Sequence, residues 1–165
     1  MIDRVVPALL SLCAAFAVWA AEPPLIGREA PDFALRALAG GNTRLSEARG
    51  QVVVLSFFGS RCNTCRAQLA ELDEVFRTYG PAGLVVYGVS IDDDAEGASG
   101  FATSVGVGFP MLADPGKAVG RAYAIDRLPT LVILDRAGKV RYVHRDPRSR
   151  GEPVYLRELR RLLDE

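Results

Sequence analysis

The sequence predicts one α/β domain, on three observations. Two continuously apolar runs, 52–58 and 84–91, flank a stretch in which Leu69, Leu72, Phe76 and Tyr79 recur at helical spacing. Runs of that kind have no wet face and belong inside a covered sheet, so the unit reads strand, crossover helix, strand. Downstream, the apolar runs 131–134 and 140–143 flank Asp135-Arg136-Ala137-Gly138-Lys139, a hairpin signature. With 165 residues and 49% apolar composition the chain can bury one sizeable core.

Taken in order, the chain opens with a segment that reads as a targeting leader. Met1-Ile2-Asp3-Arg4 is a weakly basic start, residues 5–19 are almost continuously apolar, and Val18-Trp19-Ala20 offers small-residue cleavage after Ala20. A bilayer-spanning helix needs about 20 apolar residues, so this run is short for a permanent anchor. Residues 1–20 are therefore read as a signal peptide, with an N-terminal membrane anchor as the alternative, and 21–165 as the folded domain. Leu12 is too bulky for a lipoprotein site at Cys13, which reads as one more apolar leader residue. Glu22-Pro23-Pro24 forms a short extended linker.

A short strand is expected over 30–35, a turn at Gly40-Gly41-Asn42, and a helical turn over 45–49 closed by Gly50. The first central strand spans 51–58, the helix 66–79 stops at Gly80-Pro81, and the second central strand spans 84–91. The stretch from Asp92-Asp93-Asp94 to Gly108 is acidic and then Gly- and Ala-rich, with a helix expected near 96–105 and another over 117–123. Pro153 suits the first turn of a final helix whose apolar face is Leu156, Leu159, Leu162 and Leu163.

Charge excludes one class of partner. Twenty basic and twenty acidic side chains leave a net charge of +0, and no basic stripe or aromatic stacking motif is present, so nucleic acid is not expected to bind. The positive charge is nearly all arginine, with lysine only at 117 and 139.

The chemistry is carried by Cys62-Asn63-Thr64-Cys65, placed directly between the first apolar strand and the helix that follows. Backbone N–H groups and the positive end of a helix dipole stabilise a thiolate there. Three readings of such a pair compete: half a zinc site, a structural disulfide, or a redox dithiol. Structural zinc needs four ligands, and the chain without its leader has two cysteines and one histidine, His144. A structural disulfide over so small a loop gains little chain entropy. Redox use is the reading the position favours. Arg61 and Arg66 flank the pair; either guanidinium close to the sulfur would lower the Cys62 pKa, and Arg61 adjoins the nucleophile. Asn63-Thr64 is expected to tune the potential.

Leu128-Pro129-Thr130 enters the apolar run 131–134, where proline cannot donate to the ladder and an X–Pro bond makes cis cheap. It reads either as a strand-start proline or as a cis-proline beside a groove in which a substrate segment pairs as an added strand. His144 is expected to be an exposed or loop histidine. The aspartates 92–94 lack calcium-loop spacing and read as a solvated strand exit, with Asp94 as a helix cap.

With these elements in order, the sequence resembles the TlpA/ResA-like thiol–disulfide oxidoreductases of the redoxin superfamily from about residue 25 to the C-terminus. Ala30-Pro31-Asp32-Phe33, the segment Phe57-Phe58-Gly59-Ser60-Arg61-Cys62-Asn63-Thr64-Cys65-Arg66, and Leu128-Pro129-Thr130 carry the resemblance. It implies a thioredoxin fold: a central mixed β-sheet flanked by helices, with an N-terminal extension and a central α/β insertion around Gly106-Val107-Gly108-Phe109-Pro110. It further implies Cys62 as the attacking and Cys65 as the resolving cysteine of a redox-active disulfide, and Pro129 as a cis-proline beside them. Leu128, Pro129 and Thr130 become the candidate substrate-binding residues and Arg61 the candidate for tuning the thiol. No cofactor or metal is expected. The implied partners are exported proteins with disulfides, apocytochrome c among them, and a membrane thiol–disulfide electron transporter. The compartment is periplasmic or otherwise extracytoplasmic, and the chain is expected to be a monomer.

Three positions depart from relatives' usage. Arg61 replaces a common tryptophan, Gln68 a common glutamate, and Ser56 the buried aspartate of thioredoxin itself. Two rival functions remain at this point: a peroxiredoxin-like peroxidase, against which the missing Pro-x-x-x-Thr-x-x-Cys pattern counts, and a copper-delivery protein using the two sulfurs and His144.

Overall fold

The computed structural model describes residues 25–146 and 152–165. The leader with Cys13, and the linker Glu22-Pro23-Pro24, lie outside the described residues. Within them the chain forms strands β1 (Ala34–Ala37), β2 (Asn42–Arg44), β3 (Val52–Phe58), β4 (Leu84–Ser90), β5 (Met111–Ala113), β6 (Thr130–Leu134) and β7 (Val140–Arg145). Four helices accompany them: α1 (Asn63–Tyr79), α2 (Ala95–Val105), α3 (Ala118–Ala122) and α4 (Val154–Asp164).

The strands form one mixed sheet in the order β2-β1-β5-β4-β3-β6-β7. β3, β4 and β5 run parallel, while β6 pairs antiparallel with both β3 and β7. β3 is buried along its whole length, as its unbroken apolar run requires of a strand covered on both faces. One core layer packs Val52, Val54 and Phe58 against Cys65, Leu69 and Leu72 of α1 and Tyr155, Leu159 and Leu162 of α4. The opposite layer packs Val53, Leu55 and Phe57 against Phe33, Leu45, Val119 and Tyr123. Alternation along β3 thus decides which side chains lie under the cysteine pair.

Several boundaries differ from expectation for identifiable reasons. The strand expected over 30–35 starts only at Ala34, because the preceding segment spends its polar groups elsewhere. Ala30 N–H donates to Gly138 O, Pro31 O accepts from the Tyr123 hydroxyl, and Phe33 O accepts from Leu45 N–H. β2 and β5 were not expected at all; each has three residues, too few to show a period. α1 begins at Asn63 rather than 66, so Cys65 lies inside its first turn. Gly80 keeps right-handed geometry at φ −52°; the chain turns away at Gly83, φ 95°, where glycine is the residue that bears a left-handed conformation cheaply. Pro153 stands just before α4 as its N-cap rather than within its first turn.

The central insertion is tied to α1 by a buried carboxylate. Asp73 accepts from Gly108 N–H at 2.7 Å and pairs with Arg77. Burial opposes its ionisation, yet the Gly108 N–H, the Arg77 hydrogen bond and the Arg77 charge outweigh burial and hold its carboxyl below the usual 3.8. Its stabilisation is therefore fully present above pH 3.8 and fades as pH falls through the lower folded value. Asp73→Asn is expected to cost about 1–3 kcal/mol at neutral pH and to flatten the acid limb of the stability profile. Urea unfolding at pH 7 and pH 3 measures both.

Candidate active site

The site is built where β3 hands over to α1. β3 ends at Phe58, and Gly59 follows in a close-packed passage where a side chain would press on its neighbours. A Cβ there would lie 3.2 Å from Leu128 Cδ1 and 3.4 Å from Asp92 Oδ1. Cys62 N–H donates back to Gly59 O at 3.0 Å, closing a turn that presents Cys62 as the N-cap of α1. Cys62 and Cys65 are joined in a disulfide.

The two sulfurs are unequal. Cys62 is half-buried, whereas Cys65 is 0% exposed beneath the first helical turn. An incoming thiol or disulfide therefore meets Cys62 first. Cys62 Sγ accepts from Cys65 N–H at 3.2 Å, and Thr64 Oγ1 lies 3.6 Å away. In the dithiol form these donors, at the positive end of a 17-residue helix, favour the Cys62 thiolate. Thr64→Val is expected to raise the midpoint of Cys62 alkylation by about half a pH unit by removing one donor, as an iodoacetamide pH profile measures.

The flanking arginines separate in role. Arg66 turns away onto α2, donating to Ser104 O at 3.1 Å and Ser104 Oγ at 2.9 Å, with its guanidinium 5.0 Å above the centre of the Phe101 ring. Arg61 is exposed beside Cys62. Ser56 and Gln68, which stand where relatives use carboxylates, are 0% and 3% exposed; among the described residues Ser56 Oγ has no hydrogen-bond partner, while the Gln68 amide lies against the Tyr155 hydroxyl. The two carboxylate positions are thus held by neutral polar groups.

Of the three residues expected to meet substrate, the structure places one at the surface. The Leu128–Pro129 bond is cis. Pro129 and Thr130 are buried; Thr130 Oγ1 donates to Arg127 O at 2.8 Å, and Pro129 O accepts from Asp146 N–H at 2.9 Å. Leu128 is half-buried and packs against both core layers, the one holding Cys62 included. Among the described residues no hydrogen bond takes its N–H or C=O.

His144 is neither in a loop nor exposed, contrary to expectation. It lies within β7 opposite Leu131, its side chain is 20% exposed, and Nε2 stands 2.5 Å from Glu158 Oε2 of α4. The covering of β7 by α4, invisible to local pattern, draws it inward. The described residues contain no group of three or more His, Cys, Asp or Glu side chains that could hold a metal, so the two sulfurs and His144 do not form the copper site considered above.

Asp92 was missed. Read as part of a solvated strand exit, it is half-buried and accepts from Ser60 N–H, Ser60 Oγ and Ser90 Oγ. Ser90-Ile91-Asp92 at the end of the strand beside β3 was the available signal. Asp94 does cap α2, accepting from Glu96 and Gly97 N–H.

Comparison with known proteins agrees with this arrangement. The sequence profile of the AhpC/TSA family matches residues 26–143. A thiol-disulfide oxidoreductase ResA from Geobacillus thermodenitrificans is 32% identical over 118 residues, 72% of this chain and 68% of the relative. The thioredoxin-like protein YneN of Bacillus subtilis is 30% identical over 120 residues, 72% of this chain and 70% of that protein. Among solved structures, a Chlorobium tepidum protein assigned as thiol:disulfide interchange protein DsbE superposes with a TM-score of 0.81 at 30% identity, over 86% of this chain and 99% of that one. The chain belongs to the AhpC/TSA family, with the thioredoxin fold and as a thiol–disulfide oxidoreductase of the ResA type.

Proposed function

We propose that the protein works outside the cytoplasm as a reductant of disulfides in exported proteins, apocytochrome c before haem attachment among them. A membrane thiol–disulfide transporter returns it to the dithiol state. The observation that carries the reading is the inequality of the two sulfurs beside a Leu128 whose backbone N–H and C=O are unpaired among the described residues. An extended substrate segment pairing there in strand fashion brings its disulfide to Cys62. The apolar leader read at residues 1–20 supports export. Arg61 and Thr64 favour the attacking thiolate.

The exchange balances in two steps. Cys62 thiolate attacks one sulfur of the substrate disulfide; that bond breaks, a Cys62–substrate disulfide forms, and the first substrate thiolate leaves to take a proton from water. Cys65 thiolate then attacks Cys62 Sγ, the mixed disulfide breaks, the second substrate thiolate leaves, and Cys62–Cys65 forms. Two electrons pass from the dithiol to the substrate.

The test is trapping. Cys65→Ser, expressed in the native compartment, is expected to accumulate mixed disulfides through Cys62 with exported proteins. Adducts confined to cytoplasmic proteins, or none at all, overturn the reading. Direction is read separately, since a Cys62–Cys65 potential near about −270 mV fits a reductant and one near about −120 mV an oxidant.

A further inference from the structure

The three consecutive aspartates after β4 are used in three different ways. Asp93 forms a surface ion pair with Lys117 at 2.8 Å, and Asp94 accepts the first N–H groups of α2. Asp92 alone turns toward the cysteine turn. Its Oδ2 accepts from Ser60 N–H at 2.8 Å and from Ser90 Oγ at 2.9 Å, and its Oδ1 accepts from Ser60 Oγ at 3.1 Å. Its own N–H donates to Ser90 Oγ at 3.2 Å, which fixes the carboxylate from behind.

The position of this clamp gives it a purpose. β3 and β4 are paired out to Phe58 and Ser90, and Ile91 N–H adds one more bond to Phe58 O at 3.0 Å. Beyond that the strands diverge, one into the turn 59–62 that presents Cys62, the other toward α2. Asp92 spans the gap and holds the turn by its second residue, Ser60, on a bidentate grip. Gly59 lies close by as well: a Cβ there would stand 3.4 Å from Asp92 Oδ1 and 3.2 Å from Leu128 Cδ1. The carboxylate therefore stands along the short turn that carries the nucleophile. Of the other charges nearby, Arg61 is exposed and Arg66 is drawn away onto Ser104 and Phe101.

We infer that Asp92 is a positioning residue for Cys62: its carboxylate clamps the turn 59–62 and holds the dithiol more reducing than a neutral clamp would. A fixed negative charge beside a thiol disfavours the thiolate. Destabilising the reduced form lowers the potential, the reverse of what makes a strong oxidant of a stabilised dithiol. The inference rests on Cys62 being the nucleophile of an oxidoreductase, and it holds whatever the physiological substrate or the direction of electron flow.

Asp92→Asn keeps the size and the acceptor for Ser60 N–H while removing the charge. In the full-length protein it is expected to shift the equilibrium with glutathione about three- to tenfold toward the dithiol, about 15–30 mV in potential. The midpoint of Cys62 alkylation should fall in parallel. Asp92→Glu, which keeps the charge, should stay within about twofold of wild type, and Asp92→Ser supplies a second neutral variant should Asn not be tolerated. A neutral variant that folds with equilibrium and alkylation profile unchanged overturns the inference, as does Asp92→Glu shifting as far as Asp92→Asn.

Discussion

Cys62→Ser is expected to lower disulfide-exchange activity by at least about a thousandfold while leaving the fold in place. A serine hydroxyl is not ionised near neutral pH, so the attacking species disappears rather than weakening. Among the described residues the one other cysteine is Cys65, and it is 0% exposed. Structural loss should be small, because Cys62 is half-buried and the disulfide closes a loop with a sequence separation of 3, which constrains the unfolded chain little. The two single variants are therefore expected to fail differently. Cys65→Ser still attacks once and stalls as an adduct, whereas Cys62→Ser makes no adduct. Reduction of a small aromatic disulfide, followed alongside far-ultraviolet circular dichroism, separates chemistry from folding. Residual turnover above a tenth of wild type would mean that Cys65 attacks substrate directly, against its burial.

The parts legible in the sequence were those whose physics is local. The runs 52–58 and 84–91 announced buried parallel strands because a strand covered on both faces needs no alternation. Asp135 and Gly138 announced the hairpin; the structure has Gly138 at φ 75° and its N–H donating to Asp135 O at 2.8 Å. The cysteine pair was legible because strand, spacing and helix are neighbours in sequence.

What escaped was decided between distant segments. β2 and β5 exist because β1 pairs with both, and three residues carry no period of their own. Asp92 lies 32 residues from the serine it holds, so its carboxylate looked solvated until β3 and β4 were laid side by side. His144 looked free until α4 brought Glu158 against it. Arg61 was preferred over Arg66 only because it adjoins Cys62 in sequence; what occupies Arg66 instead, an aromatic face and two acceptors on α2, is a tertiary contact. Residue type foretold the chemistry of the site, but the assignment of charges around it needed the tertiary contacts.

Phe58→Ala is expected to cost about 3–5 kcal/mol, a large share of the roughly 5–15 kcal/mol that holds a domain of this kind folded. Phe58 is 0% exposed and is the last residue of β3 before the turn that leads to Cys62. Its ring stacks on Phe101 of α2 with centres 5.5 Å apart, and the Arg66 guanidinium of α1 lies 5.0 Å from the centre of the same Phe101 ring. It also bounds the space above Gly88, where an added Cβ would lie 3.4 Å from Phe58 Cε1. Truncation thus leaves a cavity where β3, β4, α1 and α2 meet, and the ring of Phe101 loses its partner. Because that cavity lies directly behind the turn, the variant is also expected to exchange disulfides more slowly at temperatures where it remains folded. Phe58→Leu, which refills most of the volume, should recover all but about 1.5 kcal/mol and most of the rate. Urea unfolding of the disulfide form, without reductant, gives the stability difference. Equal losses for Ala and Leu would place the energy in the aromatic stack itself rather than in the filled volume.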